Sequence, residues 1–174
     1  MMPVKLVGCL LVVGAAALMG VRKGEAVRNQ YRQMKYLQRI LCMIESEIRY
    51  AHAHLGEIFR DISGSLKEPY REWLLSVRDS MEKRDGRALE EIWEDGVGRH
   101  LKKSGLPEKE LCRLSQLGGQ LGASDLELQL KILRHYEEQL NLEIQEIREE
   151  MQVKVKLCHC LGVLGGMLVA VLLI

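Results

Sequence analysis

The sequence predicts an all-α protein, in which about six helices form an antiparallel bundle flanked by one transmembrane helix at each end. Residues that favour helices, such as Leu, Met, Glu, Arg and Ala, are abundant, whereas aromatic residues make up only 5% of the chain and include a single phenylalanine. Three prolines in 174 residues leave room for long helices, and both ends of the chain are apolar. The length suits one modest domain together with its anchors.

The two apolar ends are predicted to be membrane spans, over residues 4–21 and 157–174. The first contains an uncharged run from Leu6 to Val21, and the only polar residue of the second is His159, near its inner edge. Crossing a hydrocarbon core ~30 Å thick takes ~20 helical residues, with ~17 as the lower bound. Both segments are therefore short but plausible spans, and the lipid bilayer is the first expected partner.

Basic residues predict the orientation of the spans. Arg22 and Lys23 follow the first span, and Lys154 and Lys156 precede the second. Because cytoplasmic flanks carry an excess of Lys and Arg, residues 22–156 are expected to form a cytosolic helical domain, with both termini across the membrane.

A cleaved signal peptide is the alternative for the first segment. Its cleavage site would lie in the run of alanines at residues 15–17. The basic cluster that follows would then be on the wrong side of the membrane, so the span is preferred.

Six runs of apolar residues at helical spacing predict the helices of the middle domain. The last run starts at Ser124, whose spacing to Glu127 is that of a capping box. Pro69 is predicted at the first position of the third helix, and the fifth is expected to start at Pro107 and to close at Gly118 and Gly119. In chain order, the apolar positions are Val27, Tyr31, Met34, Leu37, Leu41, Ile44 and Ile48; Leu55, Ile58, Phe59 and Ile62; Tyr70, Trp73, Leu74, Val77 and Met81; Leu89, Ile92, Trp93, Val97 and Leu101; Leu111, Leu114 and Leu117; and Leu126, Leu130, Leu133, Leu140, Ile144, Ile147 and Met151, with Tyr136 or Glu137 at the intervening step.

The first and sixth helices are predicted to run antiparallel, because both leave the same face of the membrane. The first is basic and the sixth is acidic, and in this arrangement Glu149 and Glu150 fall near Arg28 and Arg32. Exposed ion pairs contribute only ~0–1 kcal/mol each. The charges should therefore set the register, while burial of the facing Leu and Ile stripes stabilises the pair.

No motif in the sequence predicts a catalytic, cofactor or metal site. The formal net charge of +1 argues against a nucleic-acid binder. His52 and His54 lack the Cys or carboxylate partners of a metal site, and Cys158, His159 and Cys160 would point in different directions on an apolar helix. The odd number of cysteines, five, indicates free thiols in a reducing compartment.

Two segments resemble the stage III sporulation protein AB family of endospore-forming bacteria. The first is Glu45–Leu55 and the second is Leu117–Asp125, which is followed by Gln129. Trp93 on the fourth helix and the apolar segment at each terminus also fit. His54 stands where the family pattern suggests a small residue or proline. The likeness covers essentially the whole chain.

The resemblance implies a structural platform rather than an enzyme. The soluble part of that family is similar to the helical cytoplasmic domains of the inner-membrane F proteins of type II secretion and type IV pilus machines. The family belongs to a secretion-like channel complex, made in the mother cell, at the membrane around the forespore. The expected partners are the other proteins of that complex, including a component that looks like a secretion ATPase, and self-association is a further expectation. Partner binding is expected at matching positions: Glu45, Glu47, Tyr50, Leu121, Gly122 and Asp125.

Two alternatives stay open at this point. Glu45 and Glu47 cannot form a paired-carboxylate site, because positions i and i+2 point ~200° apart on a helix, but Glu45 is suited either to a structural role or to partner contact. The second alternative, from another functional class, is a membrane-bound helical enzyme or a sensor of small ligands. A deep polar cavity lined by His52, Glu47 and Cys42 would support it.

Overall fold

The computed structural model describes the backbone of residues 2–50, 54–83, 86–122 and 125–173, and the side chains of residues 25–50, 54–83, 86–122 and 125–153. Over these residues the protein is all-α, as predicted, with six α-helices and no strand. A π-helical turn, Val97–Leu101, continues the fourth helix without a break. The helices are α1 (Met2–Tyr50), α2 (Leu55–Ser63), α3 (Tyr70–Glu82), α4 (Leu89–Gly96), α5 (Glu108–Leu121) and α6 (Leu126–Leu173).

The chain divides into two compact units. Residues 32–144 form the larger unit, called the helical domain below, and the second unit consists of residues 1–31 and 145–174. Among the residues whose side chains are described, no helix is long and apolar enough to span a membrane. The predicted spans, residues 4–21 and 157–174, lie outside those residues. The predicted boundaries of the cytosolic domain, at residues 22 and 156, stay predictions.

The predicted apolar stripe of α1 is buried from Met34 onward, whereas that of α6 is buried only from Leu133 to Ile144, and its last predicted positions, Ile147 and Met151, are half-buried. On α6 the buried stripe begins later than predicted, because Leu126 is 38% exposed and Leu130 is half-buried. Tyr136, and not Glu137, fills the intervening step of the α6 stripe. The buried positions are Met34, Leu37, Ile40, Leu41, Ile44 and Ile48 on α1, and Leu133, Tyr136, Leu140 and Ile144 on α6.

Helices α1 and α6 run antiparallel in the helical domain, as predicted. Arg134 Nε donates a hydrogen bond to Glu45 Oε1 at 3.0 Å. Nearly one turn earlier on α1, the thiol of Cys42 interacts with the carboxylate of Glu137, which lies later on α6. The end of α1 and the beginning of α6 therefore lie at one end of the domain, called the apical end below. The ion pairs predicted farther along these two helices stay predictions.

Helices α2 to α5 pack in chain order, α2 on α3, α3 on α4 and α4 on α5. An aromatic cluster joins them: the ring centroids of Trp73 and Trp93 are 4.8 Å apart, and those of Phe59 and Trp93 are 5.7 Å apart. The indole N–H of Trp93 donates to the carbonyl of Leu114 at 2.7 Å. Trp93 is thus fully buried and fixed against α5.

The end of α5 differs from the prediction. Gly118 and Gly119 do not close the helix, which continues to Leu121 and has Gly122 as its C-cap. Gly118 serves a packing purpose instead, because a Cβ built on it would lie 2.5 Å from Cβ and Cγ of Trp93. The absence of a side chain at this position lets the buried indole approach the backbone of α5.

The two prolines precede their helices instead of occupying the first helical position. Helix α3 begins immediately after Pro69, and α5 begins immediately after Pro107. The carbonyl of each proline accepts a hydrogen bond from the backbone N–H four residues later. Each proline therefore occupies the cap position, where its missing N–H costs no hydrogen bond.

Candidate functional site

The apical end brings together three of the residues predicted to bind a partner. Tyr50 is the last residue of α1, and its side chain is 75% exposed. Gly122 and Asp125 flank the turn between α5 and α6, and both are exposed. Residues that lie about 70 positions apart along the chain thus lie at the same end of the domain because α1 and α6 are antiparallel.

Glu45 lies lower on α1 and faces α6. Its carboxylate accepts hydrogen bonds from Arg134 and from Arg49, and its side chain is only 14% exposed. The ion pair with Arg134 gives Glu45 a structural role that joins α1 to α6, while Arg49 pairs with it within α1. Glu47 is half-buried on a different face of the helix, in agreement with the angle between positions i and i+2. A contact between either glutamate and a partner stays a prediction.

A second polar contact between α1 and α6 was not predicted from the sequence. Burial raises the pKa of the Cys42 thiol to about 11, with further contributions from the Glu137 and Glu45 carboxylates. Burial also raises the pKa of Glu137, whose Oε1 is buried without a hydrogen-bond partner among the described residues. The site therefore holds a protonated thiol against a carboxylate, which is the opposite of a reactive cysteine.

The turn between α5 and α6 is held by its own hydrogen bonds. The side-chain amide of Gln129 donates to the carbonyl of Leu121 at 2.8 Å. Asp125 caps α6, since its Oδ1 accepts a hydrogen bond from the backbone N–H of Glu127 at 3.0 Å. The predicted cap residue, Ser124, lies outside the described residues. Leu121 itself is fully buried, so Gly122 and Asp125, and not this residue, are exposed here.

Large apolar side chains are exposed at the apical end. Besides Tyr50, they are Leu126, which is 38% exposed, and Leu128, which is 45% exposed. Both leucines lie in the first turn of α6. Single exposed leucines are common on protein surfaces, but several apolar side chains at one end of a domain indicate a surface that binds another molecule.

A groove of about 570 Å³, lined by Leu128 but not by Leu126, opens between α4, α5 and α6. We call it the α4–α6 groove. Two glycines of α5 form part of its wall, so that the backbone itself is exposed there. The groove is lined by Ala88, Leu89, Glu90, Gly119, Gln120, Gly122, Leu128 and Ile132. A second, acidic groove lies in the other unit along Glu146, Glu149, Glu150 and Val153. Neither groove is lined by Cys42 or Glu47.

A buried polar network between α5 and α6 has no counterpart in the predictions. Glu110 is fully buried, accepts a hydrogen bond from the hydroxyl of Tyr136, and lies 3.3 Å from Arg113 Nη1. Arg113 Nη2 also donates to Glu143 Oε1 at 2.5 Å, and Lys109 Nζ lies 2.7 Å from the same oxygen. Glu143 therefore pairs with cations of α5, whereas the sequence suggested that the acidic residues of this helix face the basic α1.

The pKa values of the two glutamates in this network are shifted in opposite directions. Burial raises the pKa of Glu110, and the hydrogen bond from Tyr136 and the charge of Arg113 only partly offset it. Burial also acts to raise the pKa of Glu143, but the hydrogen bonds from Lys109 and Arg113 outweigh it and hold that pKa below its ordinary value. The network is a structural link between helices, since neither groove reaches it.

Within the described part of the chain, no group of His, Cys, Asp and Glu side chains has the arrangement of a metal site. His54 is exposed and immediately precedes α2. His52 and the Cys158–Cys160 segment have side chains outside the described residues.

Comparison with known proteins agrees with this fold and with the motifs in the sequence. The family model for stage III sporulation protein AB matches residues 5–174. The chain is 25% identical over 169 residues to stage III sporulation protein AB of Bacillus subtilis (strain 168), an alignment that covers 97% of this chain and 98% of the relative. A solved structure of a stage III sporulation protein AB is similar in fold, with a TM-score of 0.64 and 22% identity over 71% of this chain and 97% of the solved one. The chain therefore belongs to the stage III sporulation protein AB family.

Proposed function

We propose that this protein is a membrane-anchored platform in a secretion-like channel complex that acts in endospore formation between mother cell and forespore. Its helical domain faces the mother-cell cytosol and docks a cytosolic secretion-type ATPase through the apical end. Both terminal segments anchor the chain in the mother-cell membrane around the forespore.

Membership of a sporulation family supports the biological setting of this proposal. The relatives are named for a stage of sporulation and not for a reaction, which supports a structural role. The sequence supports the anchoring, because residues 6–21 and 157–174 are apolar and both are flanked by Lys and Arg on the side of the middle domain.

One observation carries the docking part of the proposal, namely the exposed apolar side chains at the apical end. Tyr50, Leu126 and Leu128 are 75%, 38% and 45% exposed, and Leu128 also lines the α4–α6 groove. Burial of apolar area is the main favourable term in protein association, at ~25 cal/mol per Å². Tyrosine is in addition one of the residues that most often dominate binding energy at interfaces.

The anchoring is tested by fractionating sporulating cells and adding protease to intact cells. We expect the chain in the membrane fraction, with the region between Arg22 and Lys156 protected from external protease. Recovery of the chain in the soluble fraction, or cleavage of that region from outside, would contradict the proposed topology.

The docking is tested by crosslinking in sporulating cells, followed by purification of the full chain. We expect a secretion-type ATPase to copurify with the parent protein and to be lost with Y50D/L126D. The matched control is L142D, because Leu142 is 60% exposed on the same helix and lies ~24 Å along its axis from Leu126. Equal recovery of the ATPase with all three proteins would show that the apical end does not dock it.

A further inference from the structure

The walls of the α4–α6 groove are largely apolar. Four of its lining residues, Ala88, Leu89, Leu128 and Ile132, are apolar, and they come from two different helices. Leu128 is 45% exposed, so a ligand seated there would cover apolar area that now faces water. Two helices with apolar residues on either side of a groove are the arrangement that receives the apolar face of a third helix.

The third wall of the groove permits close approach of a ligand. Gly119 and Gly122 of α5 line it without side chains. A Cβ on Gly122 would lie 3.7 Å from Cβ of Leu89, and a Cβ on Gly119 would lie 2.9 Å from Cδ of Glu90. The glycines therefore keep the groove open at the level where α4 crosses α5.

The charge around the groove is acidic. Glu90 lines it, Glu91 lies in the same first turn of α4, and Asp125 and Glu127 stand at the start of α6, beside Leu128. All four carboxylates are exposed. Of the nearby cations, Arg87 lies 3.8 Å from Asp95 and Lys131 is exposed. Such a rim favours a ligand with positive charge along its edges.

These features together distinguish a helix from a small molecule as the occupant. Sites for small molecules fix their ligand with a few convergent polar groups in an enclosed pocket. In this groove the charged lining residue is Glu90, and it is exposed. Its apolar walls, together with the acidic side chains at the starts of α4 and α6, match the apolar and basic faces of an amphipathic helix.

We propose that the α4–α6 groove binds an amphipathic helix of a partner protein, with its apolar face toward Leu89 and Leu128 and with Lys or Arg on its flanks. This inference rests on the proposed docking function, but it defines the occupant by its chemistry and not by the identity of the protein that carries it.

The test is photocrosslinking of the full chain in sporulating cells. A benzoylphenylalanine replaces Gln120, which lines the groove and is exposed, so the probe need not disturb the core. The control probe replaces Leu142. We expect the probe at Gln120, and not the control, to capture a segment that mass spectrometry identifies as having apolar residues at helical spacing and a net positive charge.

Charge reversal provides the second measurement. E90K should lower the yield of that crosslink several-fold, because an attractive contact in the groove lining becomes repulsive. E57K changes the net charge by the same amount at an exposed first-turn position outside the groove lining and should leave the yield unchanged. An equal loss with both variants would attribute the effect to total charge and overturn the proposal.

The remaining outcomes also decide the matter. Capture of an acidic segment, of a second copy of this chain, of lipid or of nothing would overturn the groove assignment. If the ATPase still copurifies in that case, the docking function stands without the groove. If instead a basic helix of another protein is captured and no ATPase copurifies, the groove assignment stands and the proposed docking fails.

Discussion

The sharpest prediction concerns two adjacent glycines of α5. Replacing either by alanine removes the same backbone freedom, and in a helix interior this change is worth about 1 kcal/mol of stability. The two positions differ, however, in the side chain that a new Cβ would meet. A Cβ on Gly118 would lie 2.5 Å from Trp93 Cβ and Cγ and 2.6 Å from its Cδ1, whereas a Cβ on Gly119 would meet the carboxylate end of Glu90 at 2.9–3.1 Å.

Trp93 cannot give way to the new methyl group. It is fully buried, is hydrogen-bonded to the Leu114 carbonyl at 2.7 Å, and packs against Trp73 at 4.8 Å. Overpacking of this kind costs about 1–3 kcal/mol, and the short distances place G118A at the upper end. After the helical gain of about 1 kcal/mol is subtracted, a net loss of about 2 kcal/mol remains. Glu90 is exposed and flexible, so G119A should gain about 1 kcal/mol.

The assay is thermal unfolding of the full chain, followed by circular dichroism at 222 nm. For a protein of this size, 1 kcal/mol shifts Tm by about 2–4 °C. We therefore expect G118A to lower Tm by about 4–8 °C and G119A to raise it by about 2–4 °C. A G118A variant that unfolds at or above the Tm of the parent would refute the role assigned to Gly118.

Three further predictions concern the buried polar contacts. Y136F should destabilise the protein by about 1–3 kcal/mol in denaturant unfolding, because it removes a hydrogen bond to the buried Glu110 carboxylate. E110Q should become progressively more stable relative to the parent as the pH rises above 4.5, the ordinary value from which the pKa of Glu110 is raised. A raised pKa means that the folded parent holds this proton more tightly than the unfolded chain does, so the parent loses stability as the pH rises, whereas Gln has no such proton to lose. In a chain whose other four cysteines are serine, Cys42 should react slowly with iodoacetamide at pH 8, because a pKa of about 11 leaves only ~0.1% thiolate, and E137Q should speed the reaction several-fold.

Each of these predictions has either a control variant or a result that would contradict it. Y50F alters a tyrosine that is 75% exposed and should leave stability unchanged within about 0.5 kcal/mol. A difference between E110Q and the parent that stays constant from pH 4.5 upward would contradict the raised pKa of Glu110. For Cys42, the same alkylation rate with Glu137 and with Gln at that position would show that the carboxylate does not suppress the thiolate.

The helices of the domain follow from local patterns in the sequence. Apolar spacing of three and four residues is a property of each segment alone, and it located all six helices in order. The antiparallel pairing of α1 with α6 also followed. The spacing did not predict where α5 ends. In a sequence, a glycine that ends a helix cannot be distinguished from a glycine that lets the ring of another helix pack closely, because the packing partner is not known.

The polar network and the groove depend on contacts between distant residues. Tyr136 lies 26 positions after the Glu110 that it binds, and no local motif marks either as a partner of the other. The α4–α6 groove likewise exists only because α4 packs on α5 beside the start of α6. Neither Glu90 nor Leu128 belongs to a motif that could have marked it as a groove residue. The acidic rim could be recognised only from the structure, which places the starts of α4 and α6 at the same groove.

The placement of the two indoles has a practical consequence. The chain contains two tryptophans, and both lie in the single cluster between α3 and α4, fully buried and 4.8 Å apart. Intrinsic tryptophan fluorescence therefore reports on the environment of this one cluster inside the domain. A ligand that binds at the surface without changing the core should leave the emission spectrum unchanged. A spectral shift on binding would therefore show that the packing around the two tryptophans has changed.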